Sequence, residues 1–239
     1  MARLNMQQDF MDTWTAIVEE SEAISGQLEG GVPVAVIGGE LMPDLPGKDL
    51  VPGILRLIKN FGGKSCLLLL SNLPDERIRA IRLASRLGVG AFILVEPVAP
   101  LPGHAPSDEL AILTDQANFS GFNPLVGPND ERFGPRFPDM SRPFDEVLIR
   151  AVCDKATRRG YTLRKLVLAG LPRNQHEDLS LAKHLLLAGA GCLHHRIAQE
   201  VIVARHVGLK TLVLVSESDN QANNSTLHAL ALHAVGALD

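Results

Sequence analysis

Apolar positions fall along this chain in two rhythms. VPVAVIGG (32–39), SCLLLLS (65–71), AFILVE (91–96), LAILTDQANF (110–119), RKLVLA (164–169), a short run near 191–194 and LKTLVLVS (209–216) read as strands. Most are short apolar runs rich in branched residues, the pattern of strands buried on both faces. Between them the apolar spacing widens to helical periodicity: residues 8–25 (Phe10, Trp14, Ile17, Val18, Ile24), 74–88, 143–158, 177–188, QEVIVARHVG and 222–236. The segment PDERIRAIRLASRLG carries its own boundaries, with Pro74, Asp75 and Glu76 suited to a first turn and Gly88 to a C-terminal cap.

Strands alternating with amphipathic helices predict an α/β fold, a mostly parallel sheet covered on both faces. No segment has the composition of a linker, so residues 1–239 are expected to form a single domain. Ligands of such sheets bind beyond the carboxyl ends of the strands. Those ends are Gly38, Gly39 and Glu40; Ser71 and Asn72; Glu96 to Val98; Ala169 and Gly170; and Ser216 to Asn220.

One stretch follows neither rhythm. NPLVGPNDERFGPRFPDMS, residues 123–141, sets four prolines and two glycines among charged and aromatic residues. Proline removes backbone donors and fixes φ, so no helix or central strand can cross it. Phe119, Phe122, Phe133 and Phe137 are half of the chain's eight phenylalanines, and disordered segments are poor in aromatics. An ordered loop that packs its rings is expected.

Composition narrows the partners. With 46% hydrophobic residues, a net charge of -4 and a pI near 6.1, the chain offers no electrostatic reason to bind nucleic acid or an anionic membrane. Cys66, Cys153 and Cys192 form no zinc-type spacing and suit a reduced, cytoplasmic setting. No apolar run has the length of a membrane span, and the first residues lack the apolar core of a signal peptide. His194, His195 and His206 invite a metal reading, but adjacent strand residues point to opposite faces, so no metal site is expected. His206, at a helix end, suits a structural cation.

The loop TDQANFSGFNPLVGPNDERFGPRFPDMS and the segment QEVIVARHVGLKTLVLVS together resemble the trimeric purine nucleoside phosphorylases, including the methylthioadenosine phosphorylases. That resemblance implies a three-layer α/β/α sandwich around a twisted, mostly parallel mixed sheet, assembled as a homotrimer. It also implies cleavage of the N-glycosidic bond of a purine nucleoside, with inorganic phosphate as co-substrate and no other cofactor. On the matching positions, the phosphate would meet the Gly38-Gly39 turn and Arg196; the sugar, Val98, His195 and the neighbouring subunit's Phe137; the purine, Glu177, Asp219 and Asn220.

The same comparison exposes departures. The family's glycine-serine-glycine turn reads Gly38-Gly39-Glu40, its arginine-x-histidine pair reads Ser71-Asn72-Leu73, and its late methionine-serine reads His195-Arg196. The two alanines of its pocket become Pro97 and Val98, and its histidine near the last helix becomes Asn224. A carboxylate about 4 Å from a phosphate charge costs on the order of 4 kcal/mol at an effective dielectric near 20. Glu177 as a helix opener and Asp219-Asn220 as a solvated turn is the plain alternative to their purine roles. Three readings stay open: a phosphorylase with an altered phosphate site, a catalytically degenerate homologue that binds a small molecule or assembles, and a phosphate-independent hydrolase using Glu40 or Asp219.

Overall fold

The computed structural model describes residues 15–26, 28, 32–43, 45–218 and 220–238. Nine strands form one mixed sheet: β1 (Ala35–Gly38), β2 (Lys48–Val51), β3 (Leu55–Phe61), β4 (Lys64–Leu69), β5 (Ala91–Pro97), β6 (Ala111–Asn118), β7 (Arg164–Gly170), β8 (Cys192–His194) and β9 (Lys210–Ser216). The helices are α1 (residues 15–25), α2 (Pro74–Arg86), α3 (Glu146–Arg158), α4 (Leu179–Leu187), α5 (Ile197–His206) and α6 (Gln221–Gly236). The expected opening helix is described only from residue 15; its start, with Phe10 and Trp14, lies outside the described residues.

The strand order is β2-β3-β4-β1-β5-β9-β6-β7-β8. Pairing is parallel except at β2/β3, β3/β4 and β6/β9, which gives the mixed, mostly parallel sheet of the expectation. Helices α2 and α5 pack together, as do α3 and α6, and the two pairs cover the sheet in a three-layer sandwich. The central strands β1 and β5 are buried nearly throughout, which is why they read as unbroken apolar runs.

Strand β4 matches the expected run at 65–71, but β2 and β3 beside it are absent from the sequence reading. The turns of this edge are explicit: Pro52-Gly53 turns between β2 and β3, with Gly53 at φ 68° and Ile54 N–H donating to Val51 O at 3.0 Å. Gly62 and Gly63, at φ 61° and 85°, close β3 onto β4 as a two-residue hairpin of the kind that follows strand twist. The glycine pair between two apolar runs is the signal that marks it.

Beyond β8, a narrow pair of hydrogen bonds links Ala99 and Leu193: Ala99 N–H donates to Leu193 O at 2.9 Å and Leu193 N–H to Ala99 O at 2.8 Å. It brings the continuation of β5 against the far edge of the sheet.

The long loop has no helix or strand between residues 119 and 145 and is nonetheless packed. Phe133 is buried, and Arg132 forks onto Asp130 at 2.5 to 3.0 Å. Gly134 lies so close to the end of α5 that a Cβ would sit 1.8 Å from His206 O. His206 Nε2 is 3.2 Å from Asn129 Oδ1, so the loop and the Ala-Arg-His end of α5 are one packing unit. The structural part of the His206 expectation fits this placement. The cation does not, because burial and then Arg82 push its pKa down.

Candidate functional site

The carboxyl ends of β1, β4, β5 and β8 converge on a buried ionic cluster. Arg77 comes from the first turn of α2 and is 1% exposed; Glu96 ends β5 at 0%; Arg196 and Glu200 flank the first turn of α5 at 4% and 2%. Arg77 Nε and Nη2 fork onto the Glu200 carboxylate at 2.6 and 2.8 Å. Its remaining donors reach Glu96 Oε1 at 3.2 Å and Ser71 O at 3.1 Å. Arg196 Nη2 straddles the Glu96 carboxylate at 3.0 and 3.2 Å and meets Glu40 Oε1 at 3.0 Å. Arg196 Nε lies 3.3 Å from Glu200 Oε1 without hydrogen-bond geometry and has no hydrogen-bond partner among the described residues.

The charges do not balance. Two guanidiniums face the carboxylates of Glu40, Glu96 and Glu200, and Glu40 is the member in contact with solvent. Burial pushes the Glu96 carboxyl upward, while Arg196, Arg77 and the Glu40 N–H pull against it. Burial opposes the Arg77 cation as well, yet the carboxylates of Glu200, Glu96 and Glu40 together outweigh that cost and hold its pKa above the usual value. An open cleft of about 380 Å³ lies over this cluster, lined by Gly39, Glu40, Met42, Arg56, Asn72 and Arg77 among others.

The glycine turn after β1 is committed internally. Gly39 has φ 122°, and a Cβ there would fall 2.0 Å from Val95 O, so packing against β5 alone requires glycine. Its following amides are used: Glu40 N–H donates to Glu96 Oε2 at 3.0 Å and Leu41 N–H to Val95 O at 3.2 Å. Gly38 packs on Leu69, where a Cβ would approach to 3.0 Å.

His195 adjoins the cluster, half buried, with Arg173 Nε–H donating to its Nε2 at 3.4 Å. Burial first, then the charges of Arg173 and Arg196, push its pKa down to about 4. His194 accepts the N–H groups of Arg196 and Ile197 on Nδ1, both at 3.2 Å, and so caps α5 as a neutral ring. The expectation that these two rings face opposite ways is corrected: β8 ends at His194, the chain bends, and the ring centroids lie 4.6 Å apart. Among the described residues no group of histidine, cysteine and carboxylate side chains is placed to hold a metal ion.

The other named positions spread around the crevice. Val98 is buried, its N–H donating to Ser216 O at 2.9 Å across the ends of β5 and β9. Asn220 caps α6 by accepting the Ala222 N–H at 2.9 Å, so it is a helix cap rather than a solvated turn. Asp219 lies outside the described residues. Ser218 Oγ, and Asn224 Oδ1 in the first turn of α6, are buried and have no hydrogen-bond partner among the described residues. Glu177 is exposed; Asp178, not Glu177, caps α4, through Ser180 and Leu181 N–H. Phe137 is 85% exposed and lines a separate cleft of about 360 Å³ with Val126, Met140 and Ile202.

A mixed sheet sandwiched by helices, with a ligand crevice at converging strand ends, is the architecture of the nucleoside-type phosphorylases. The sequence profile of the phosphorylase superfamily matches residues 19–234, and the chain belongs to that superfamily. Within it the likeness is to purine nucleoside phosphorylases. The chain is 33% identical to purine nucleoside phosphorylase 1 of Bacillus subtilis over 132 residues, which is 55% of this chain and 49% of that protein. It is 34% identical to the mouse purine nucleoside phosphorylase over 139 residues, 54% of this chain and 47% of that one. The chain thus spans about half the length of the curated relatives it matches. In fold, a Schistosoma purine nucleoside phosphorylase in complex with hypoxanthine superposes with a TM-score of 0.79 at 20% identity, covering 93% of this chain and 97% of that one.

Arg77 and Glu200 are the residues that sequence reasoning missed, and Glu96 was named only as part of a strand end. Two arginines on the buried side of α2, a glutamate closing an otherwise apolar strand, and Arg196 four residues before Glu200 are the signals that mark them.

Proposed function

We propose that this chain binds a purine nucleobase or nucleoside at the end of β9 and has lost phosphorolysis. The fate of Arg196 carries the reading. A site for inorganic phosphate needs cations and amides free to meet the anion, and here Arg77, Arg196 Nη2 and the Glu40 and Leu41 amides are already bound to the chain's own acceptors, while Arg196 Nε is buried. Glu40 adds a carboxylate at the cleft surface. The purine pole is supported by Ser218 Oγ and Asn224 Oδ1. Buried polar atoms are normally hydrogen-bonded, and a base at the end of β9 would supply partners once the chain covering these two atoms opens. Relatives named as purine nucleoside phosphorylases supply the substrate class. In this reading Asp219 and Asn220 hold the base, Val98 and His195 border the sugar, and Glu177 stands at the rim.

A thermal-shift titration tests it, since a ligand of the native state raises apparent stability by mass action. Hypoxanthine, adenine, inosine, guanosine, adenosine or methylthioadenosine should raise the midpoint, and Asp219→Ala should diminish the rise. No base should be released from the nucleosides, with or without phosphate, at high protein concentration. Phosphate-dependent release would overturn the loss of phosphorolysis, and release independent of phosphate would point to hydrolysis.

One observation favours a second reading, phosphate-dependent cleavage by an altered site. Arg173, exposed beside His195, pairs with no carboxylate among the described residues and could meet phosphate from the opposite wall. Arg173→Ala would then abolish any phosphate-dependent turnover.

We also propose a homotrimer built on the long loop, supported by the exposed Phe137, Val126, Phe119 and Phe122 rings and side chains. A reduced cytoplasmic setting is supported by the free cysteines, of which Cys66 is pushed up to about 12 by burial. No helix among the described residues is long and apolar enough to cross a membrane.

A further inference from the structure

The ionic cluster has the donor set of an oxyanion site, and one of its own side chains fills it. A single carboxylate, that of Glu96, receives a backbone N–H from the turn after β1 (Glu40, 3.0 Å), one guanidinium from α2 (Arg77, 3.2 Å) and one from the start of α5 (Arg196, 3.0 and 3.2 Å). Backbone amides of a glycine turn combined with arginine forks are the usual means of gripping phosphate or sulfate. Three separate elements aim donors at one point, and Glu96, wholly buried at the end of β5, delivers the negative charge from within. The grip is short of acceptors: the Arg196 Nε–H is buried beside it without a hydrogen-bond partner among the described residues.

We infer that Glu96 is a resident anion that occupies an oxyanion site between the β1 turn, Arg77 and Arg196, and that removing its charge opens this site to inorganic phosphate. The inference rests on the reading that phosphorolysis has been lost and gives that loss a cause in one residue. The Glu40 carboxylate is secondary, because it pairs with Arg196 and stands at the surface.

Titration of inorganic phosphate, followed by thermal shift and by broadening of the phosphate ³¹P resonance, tests it at constant ionic strength with chloride as control. Wild type should show no saturable response. Glu96→Ala should gain one, with phosphate affinity at least tenfold above that of wild type, and Arg196→Met in the Glu96→Ala background should remove the gain. Glu40→Gln, which leaves Glu96 in place, should not create it. Should Glu96→Ala fail to fold, Glu96→Gln keeps the shape without the charge and should gain a weaker but saturable response. Folded Glu96 variants that respond like wild type would overturn the inference, as would saturable phosphate binding by the wild type that Arg196→Met abolishes. Failure of every purine to stabilise the wild type would sink the purine-binding reading and leave this inference standing.

Discussion

Replacing Arg77 by alanine would leave Glu200 without its two-pronged partner and Glu96 with Arg196 and the Glu40 N–H, in a region where all four side chains are buried. Breaking a buried ion pair from one side strands a charge, so Arg77→Ala should cost about 3 to 5 kcal/mol in urea denaturation. Arg77→Met combined with Glu200→Leu should cost less than Arg77→Ala alone, because no charge is stranded between them. Equal losses would mean that Arg77 acts through packing. His195 sets a pH dependence of its own. Its folded pKa, about 4, lies below the ordinary 6.5, so between those values the unfolded chain binds the extra proton. Stability from this group is therefore full above about 6.5 and falls as the pH drops toward 4. His195→Gln should flatten that part of a stability-against-pH curve, and an unchanged slope would assign the fall to other groups. None of this cluster is legible as a motif, since Arg77, Glu96 and Arg196 are far apart in sequence and meet only when four strand ends converge. The glycine turn was legible. The reason for its glycine is packing on Val95, which sequence does not display.

At the scale of elements, two neighbouring glycines separate backbone conformation from space. Both have positive φ, but a Cβ on Gly63 meets nothing within 4 Å, whereas one on Gly62 would lie 2.4 Å from Leu232 O in α6. Gly63→Ala should cost about 1 to 2 kcal/mol for its left-handed conformation. Gly62→Ala adds displacement of α6 and should cost more, shifting the urea midpoint further. Equal shifts would show that α6 yields freely. Most elements were legible because a strand buried on both faces and a helix with one apolar stripe imprint distinct periods. The β2-β3 edge was not, because its strands alternate only partly: Lys48, Asp49, Lys59 and Asn60 are exposed, and no continuous run announces them. The expectation that the long loop packs its rings holds for Phe133 alone; Phe119, Phe122 and Phe137 are exposed. What holds the loop, Gly134 against His206 O and Arg82 to Pro124 O, depends on contacts across long sequence separations.

For the whole molecule, the exposed phenylalanines of the loop set the expected assembly. Sedimentation should find a particle about three times the 25.8 kDa chain, and Phe137→Asp should shift it toward the monomer without altering the circular dichroism spectrum. A monomeric wild type would remove the trimer and, with it, any contribution of Phe137 to a neighbour's crevice. The short clasp between Ala99 and Leu193 bears on a different hazard. A sheet of this kind has two rims, and an unpaired rim is a template on which another chain can grow. One rim here is β2, four residues long with Lys48 and Asp49 facing water. At the other, Leu193 gives both its amide and its carbonyl to Ala99, so the ladder is already closed where a stranger would begin. The Leu193 amide should therefore exchange with solvent deuterium as slowly as an amide in the middle of the sheet, and gentle heating should leave the protein clear until it unfolds as a whole.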